Sequence, residues 1–154
     1  MNKQLDVTSV EKMIELGCKI GARTRGGEVF ELSGDVGTGK TSFVKGLAAG
    51  MGIADVIQSP TFTISRMYDL PNGIVLGHYD FYRLKEPGIM RDELSEILAD
   101  GSSIVALEWD ETVKDILPRD RTISVQIKYT GESSRSLTLT GDDAMEYVLA
   151  ELEQ

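Results

Sequence analysis

Gly34-Asp35-Val36-Gly37-Thr38-Gly39-Lys40-Thr41 spells G-x-x-x-x-G-K-[ST], and the reading of the whole chain starts there. Three glycines let the backbone curl until successive N–H groups point inward, a cradle for anionic oxygens. The motif has meaning only between a strand and a helix. Residues 27–32 read as a short strand, and residues 42–50 read as a helix stopped by Gly50. A chance match arises in about one chain in 200 of this length, and the flanking elements make it rarer. A helix starting near Lys40 adds its positive dipole end to the cradle. The expected phosphate-binding set is therefore Asp35, Val36, Gly37, Thr38, Gly39, Lys40, Thr41 and Ser42. Lys40 is placed to reach the β- and γ-phosphates, and the Thr41 hydroxyl to ligate the accompanying Mg²⁺.

Outward from this loop, the chain reads as strands interleaved with helices. Val10, Met13, Ile14, Gly17 and Ile20 recur at helical spacing behind the possible caps Thr8 and Ser9, and their stripe is expected to pack in the core. Residues 61–68 and 74–80 read as two strands around Pro71-Asn72-Gly73, a hairpin turn. Residues 92–99 read as a short helix. Residues 103–108 form an apolar run of the kind found in a buried strand, with Glu108 at its end. Residues 122–129 and 135–139 alternate like strands around a polar turn, and 142–152 reads as a closing helix. The implied fold class is α/β: a three-layer P-loop sandwich on a mixed, mostly parallel sheet with antiparallel hairpins. One P-loop ATPase domain is expected over 1–154.

Composition narrows the surroundings of such a site. The 154 residues carry a formal net charge of -9, which argues against direct DNA binding or autonomous RNA binding. The N-terminus lacks the apolar core of a signal peptide, and no apolar run has the length of a membrane span, so a cytoplasmic protein with no membrane partner is expected. Cys18 is the only cysteine and His78 the only histidine. The thiol is read as packed, His78 as structural, and a zinc site is not expected.

In α/β sheets ligands collect beyond the carboxyl ends of strands. The glycine loop, Asp80 and Glu108 all lie at such ends, and phosphoryl transfer needs carboxylates near the phosphate-bound metal. Glu108, after an apolar strand, better fits the Mg²⁺-holding acid. Ser59-Pro60-Thr61 lies where a loop hydroxyl approaches a γ-phosphate, as switch threonines do.

Four segments together, Gly34 to Thr41, Ser59-Pro60-Thr61-Phe62-Thr63, His78-Tyr79-Asp80-Phe81-Tyr82-Arg83-Leu84 and Leu107-Glu108-Trp109, resemble the TsaE (YjeE) family in order and spacing. The resemblance runs over nearly the whole chain. It departs mildly in the loop, where Val36 and Thr38 stand for the more usual leucine and alanine, and at Phe62, where tyrosine also occurs. It implies a small bacterial ATPase required for threonylcarbamoyladenosine modification of tRNA, using ATP and Mg²⁺. It further implies binding to a TsaB–TsaD pair, so that tRNA is met only through that complex. By resemblance, Lys40 and the loop amides bind phosphates, Thr41 and Glu108 hold Mg²⁺, Thr61 senses the γ-phosphate, Asp80 assists hydrolysis, and Trp109 lies near the nucleotide or the partner. The Thr8-Ser9 helix start and the turn over 131–135 are the candidate walls for the base. A GTPase is disfavoured because the chain has no Asn-Lys-x-Asp segment. A small-molecule kinase and a nucleotide-gated binding module with negligible hydrolysis are the competing readings.

Overall fold

A computed structural model describes residues 1–35, 37–58, 65–81, 88–108 and 111–152, apart from the side chains of Ile89, Glu111 and Thr112. The chain builds one seven-stranded sheet in the order β1-β7-β6-β2-β5-β4-β3. Its strands are β1 (Asn2–Val7), β2 (Val29–Ser33), β3 (Ser65–Asp69), β4 (Val75–Asp80), β5 (Ile104–Glu108), β6 (Thr122–Tyr129) and β7 (Arg135–Gly141). The four central strands β6, β2, β5 and β4 run parallel, while β3 and β7 join antiparallel. Helices α1 (Val10–Gly21) and α2 (Lys40–Gly50) cover one face, and α3 (Gly88–Asp100) covers the β4–β5 side of the other. The mixed three-layer α/β arrangement expected from the sequence is present.

Burial along each strand follows from this layering. β2 and β5 are buried at almost every position because both of their faces are covered. Residues of β6 and β7 alternate instead, with Ile123, Val125, Ile127, Leu137 and Leu139 under α1 and α2. Their other face stays polar, and Ser124, Gln126, Thr138 and Thr140 line an open groove beside Glu31.

Helices α1 and α2 approach closer than ordinary side chains permit. A Cβ on Gly46 would stand 2.2 Å from the Ile14 carbonyl oxygen, and one on Gly17 would stand 2.5 Å from that of Phe43. Gly21 and Gly50 repeat the contact one turn on, against Leu47 O and Cys18 O. These four glycines lay one backbone directly on the other, so the start of α1 is held beside the start of α2.

Three expectations change. β1 was not foreseen as a strand; Leu5 and Val7 are its only buried side chains, and its pairing is with β7, more than a hundred residues away. The closing helix expected over 142–152 is a 3₁₀ turn (Asp143–Met145) followed by one α turn (Glu146–Leu149). Asp142 caps that turn, Ala150 is extended and Glu151 adopts φ 59, so the backbone leaves the helical region just after Leu149. Val10, read as part of the core stripe of α1, is 58% exposed. By contrast, Met13, Gly17 and Ile20 of that stripe are buried.

Candidate nucleotide site

The glycine loop leaves β2 and enters α2 through backbone that few other residues tolerate. Gly37 and Gly39 have φ of 82 and 112, in the left-handed region that penalises a Cβ. At Gly39 a Cβ would also meet the Met13 side chain at 3.2 Å. The turn is closed from within, since Thr38 donates through N (3.2 Å) and Oγ1 (2.8 Å) to the Asp35 carbonyl.

The helix that follows suits an anion. Gly39 caps α2 without a side-chain acceptor, the first turn holds no acidic residue, and the first intrahelical bond runs from Phe43 N to Gly39 O at 2.9 Å. The amides of Lys40, Thr41 and Ser42 thus have no acceptor inside the helix, and the dipole adds positive potential where they point. Lys40 Nζ donates to the Gly34 carbonyl at 2.7 Å, which folds its charge back over the mouth of the loop.

The acids stand in register next to it. Leu32 pairs with Glu108, and Glu108 pairs with Asp80, in adjacent parallel strands. Paired residues of neighbouring strands share a face, so both carboxylates lie on the α1/α2 side of the sheet, immediately beside the point where β2 gives way to the loop. Asp80 is 8% and Glu108 6% exposed. Three segments far apart in sequence, 34–41, Asp80 and Glu108, therefore meet at one edge. Two buried carboxylates in register on adjacent strands would suit a cation, and the hard oxygen donors of Thr41 and Glu108 match Mg²⁺ better than a soft metal. Val36, Thr61 and Trp109 lie outside the described residues, as do Ser59, Pro60, Phe62, Thr63, Tyr82, Arg83 and Leu84.

His78 lies two residues before Asp80 on the same face of β4 and is wholly buried. Burial lowers its pKa to about 4, against the opposing pull of the Asp80 charge. The ring is neutral at pH 7. Beside it in sequence, Tyr79 points to the opposite face and stacks on Phe81 with ring centroids 5.7 Å apart.

A cavity of about 220 Å³ opens on the other side of the loop. Val10 and Met13 of α1 give it apolar walls, Gly37 and Gly39 its floor, and Glu132 and Arg135 a polar rim. The exposure of Val10 has its reason here. Of the walls foreseen from sequence, the turn after β6 contributes Glu132, Ser133 and Arg135, while the α1 start contributes Ser9, whose side chain accepts from Lys12 N to cap the helix. Larger grooves exist elsewhere, but they are open and are not walled by the phosphate loop together with apolar side chains.

Arg135 was foreseen only as the end of a candidate wall for the base, not as a partner of the glycine loop. Its Nε donates to the Thr38 carbonyl at 3.1 Å, and its guanidinium lies 4.3 Å from the centre of the Tyr129 ring. This ties the β6–β7 turn to the loop. The only local signal was its place at the end of a polar turn, which says nothing of what that turn faces.

Comparison with known proteins converges on one group. The model of the family described as "Threonylcarbamoyl adenosine biosynthesis protein TsaE" matches residues 7–137. The tRNA threonylcarbamoyladenosine biosynthesis protein TsaE of Borreliella burgdorferi is 40% identical over 140 residues, which cover 89% of this chain and 98% of that one. Its counterpart in Bacillus subtilis is 38% identical over 119 residues, 74% of this chain and 70% of that one. The crystal structure of Bacillus subtilis YdiB superposes with a TM-score of 0.78 at 29% identity, over 99% of this chain and 94% of that one. With a family match over residues 7–137 and relatives 38 to 40% identical over most of their own length, the chain belongs to the TsaE family.

Proposed function

We propose that this protein is a Mg²⁺-dependent ATPase of tRNA threonylcarbamoyladenosine biosynthesis, acting on a complex of TsaB- and TsaD-like partners rather than on tRNA itself. Membership in the family supports the pathway. The observation that carries the chemistry is the register Leu32–Glu108–Asp80, which sets two buried acids beside a glycine loop whose helix start has no side-chain cap.

In this reading the amides of residues 37–42 bind the phosphates, and Lys40 exchanges the Gly34 carbonyl for an anionic oxygen, a stronger acceptor. Thr41 and Glu108 would hold Mg²⁺, which when bound neutralises charge on the β- and γ-oxygens. Asp80 orients the attacking water, and Thr61 senses the γ-phosphate. The pocket of Val10, Met13 and Arg135 takes the base, and Trp109 sits near nucleotide or partner. No helix among the described residues is long and apolar enough to cross a membrane.

The test is turnover of ATP by the chain alone and with TsaB- and TsaD-like proteins added. Slow hydrolysis alone and about tenfold faster hydrolysis with the partners is expected. A rate that the partners leave unchanged would count against the ATPase reading and favour a module whose nucleotide state gates docking without turnover.

A further inference from the structure

Among the described residues, neither ring nitrogen of His78 has a hydrogen-bond partner, although the residue is wholly buried. A neutral imidazole carries one donor and one acceptor. Burying both unpaired is costly, whereas a leucine of similar volume would fill the place between Ala106 and Arg66, its register neighbours, at no such cost. Packing therefore gives no reason for an imidazole here. Its position does: His78 shares a face with Asp80 one pleat along β4, about 6.5 Å away along the strand. Two side chains on that spacing can meet directly or across one water.

We infer that His78 is a positioning residue for the phosphate site. Once nucleotide and Mg²⁺ are bound, a ring N–H of its neutral imidazole donates to the Asp80 carboxylate, directly or through one water, and fixes the orientation in which that carboxylate holds the attacking water. The inference rests on the ATPase reading for Asp80 and goes beyond it by naming the group that sets Asp80. In the nucleotide-free chain the imidazole is held in reserve, buried and unpaired. Binding supplies the order that completes its hydrogen bond.

The sole histidine gives a direct test, because in the ¹⁵N-labelled full-length chain every imidazole signal belongs to His78. Adding a non-hydrolysable ATP analogue with Mg²⁺ is expected to shift one ring nitrogen toward its hydrogen-bonded value and slow exchange of its proton. In Asp80→Ala that shift is expected to vanish. In turnover assays His78→Leu is expected to lower kcat about tenfold with nucleotide affinity held within about twofold, and His78→Gln, which keeps an N–H donor, to recover most of the loss. Imidazole signals unmoved by nucleotide overturn the inference, as does wild-type turnover in His78→Leu. If His78→Leu does not fold, the signals of the wild-type chain and of Asp80→Ala decide alone. A wild-type chain that hydrolyses nothing with its partners present sinks the ATPase reading and this inference together, whereas an active wild type with an indifferent His78 sinks only the latter.

Discussion

Buried carboxylates stand at both ends of the central strands, and their surroundings differ. Glu28, just before β2, is 1% exposed and fully engaged: it accepts from the amide of Gly26 at 2.9 Å, from that of Arg25, and from the Tyr147 hydroxyl at 3.0 Å. Arg25 lies 4.0 Å over the Tyr147 ring, and burial followed by the Glu28 charge pushes the Tyr147 hydroxyl up to about 12. At the opposite end, Asp80 and Glu108 lie side by side with an unpaired imidazole behind them and an uncapped helix start in front. A polar cluster whose members pair with one another holds the fold together; one that buries an imidazole with no partner among the described residues is arranged for something that arrives.

That contrast is open to attack by mutation. The largest effect is expected at Glu108: Glu108→Ala should reduce Mg²⁺-dependent hydrolysis about a thousandfold, roughly 4 kcal/mol of barrier. Its metal-free nucleotide affinity should stay near wild type. Calorimetry with and without Mg²⁺ checks this, and equal losses in both conditions would remove Glu108 from the metal. At the other end the pattern reverses. Glu28→Ala strands two amides and a hydroxyl and should cost about 3 kcal/mol of stability in urea denaturation, while the affinity of the folded protein for nucleotide stays unchanged. A nucleotide defect with no loss of stability would erase the distinction between the two clusters.

The smallest effect concerns pH. The His78 pKa is lowered from 6.5 to about 4 in the folded chain, so between these values the unfolded chain binds more protons. Stability from this group is complete above pH 6.5 and is lost as pH falls toward 4, by about 2 kcal/mol already at pH 5. Denaturation curves of wild type and His78→Leu at pH 7 and pH 5 should differ by that amount. Parallel curves would mean that His78 is not buried as a neutral ring.

Legibility in the sequence varied with the range of the interaction. The turn Pro71-Asn72-Gly73 was readable because its geometry is local: Leu70 N donates to Ile74 O at 2.8 Å, Asn72 Oδ1 accepts from Ile74 N, and Gly73 supplies φ 86. β1 was not, because its edge pairing depends on residues 135–140 and only two of its side chains enter the core. Val10 fitted the helical period of its stripe yet faces the cavity beside the glycine loop, since a period cannot say where the layer above ends. The closing helix was drawn too long because its apolar residues kept a helical rhythm after the backbone had turned away.

By itself the sequence determined the glycine loop, the strand and helix on either side of it and the placing of two acids at strand ends, because glycine at positive φ, alternation and turn chemistry are properties of a few consecutive residues. Only the tertiary structure decided that Glu108 and Asp80 stand in register beside Leu32, that Arg135 reaches the loop, and that His78 is buried without a partner. Strand order and the glycine contact of α1 with α2 bring these residues together across long stretches of chain, and no local pattern encodes which distant neighbour a side chain will meet.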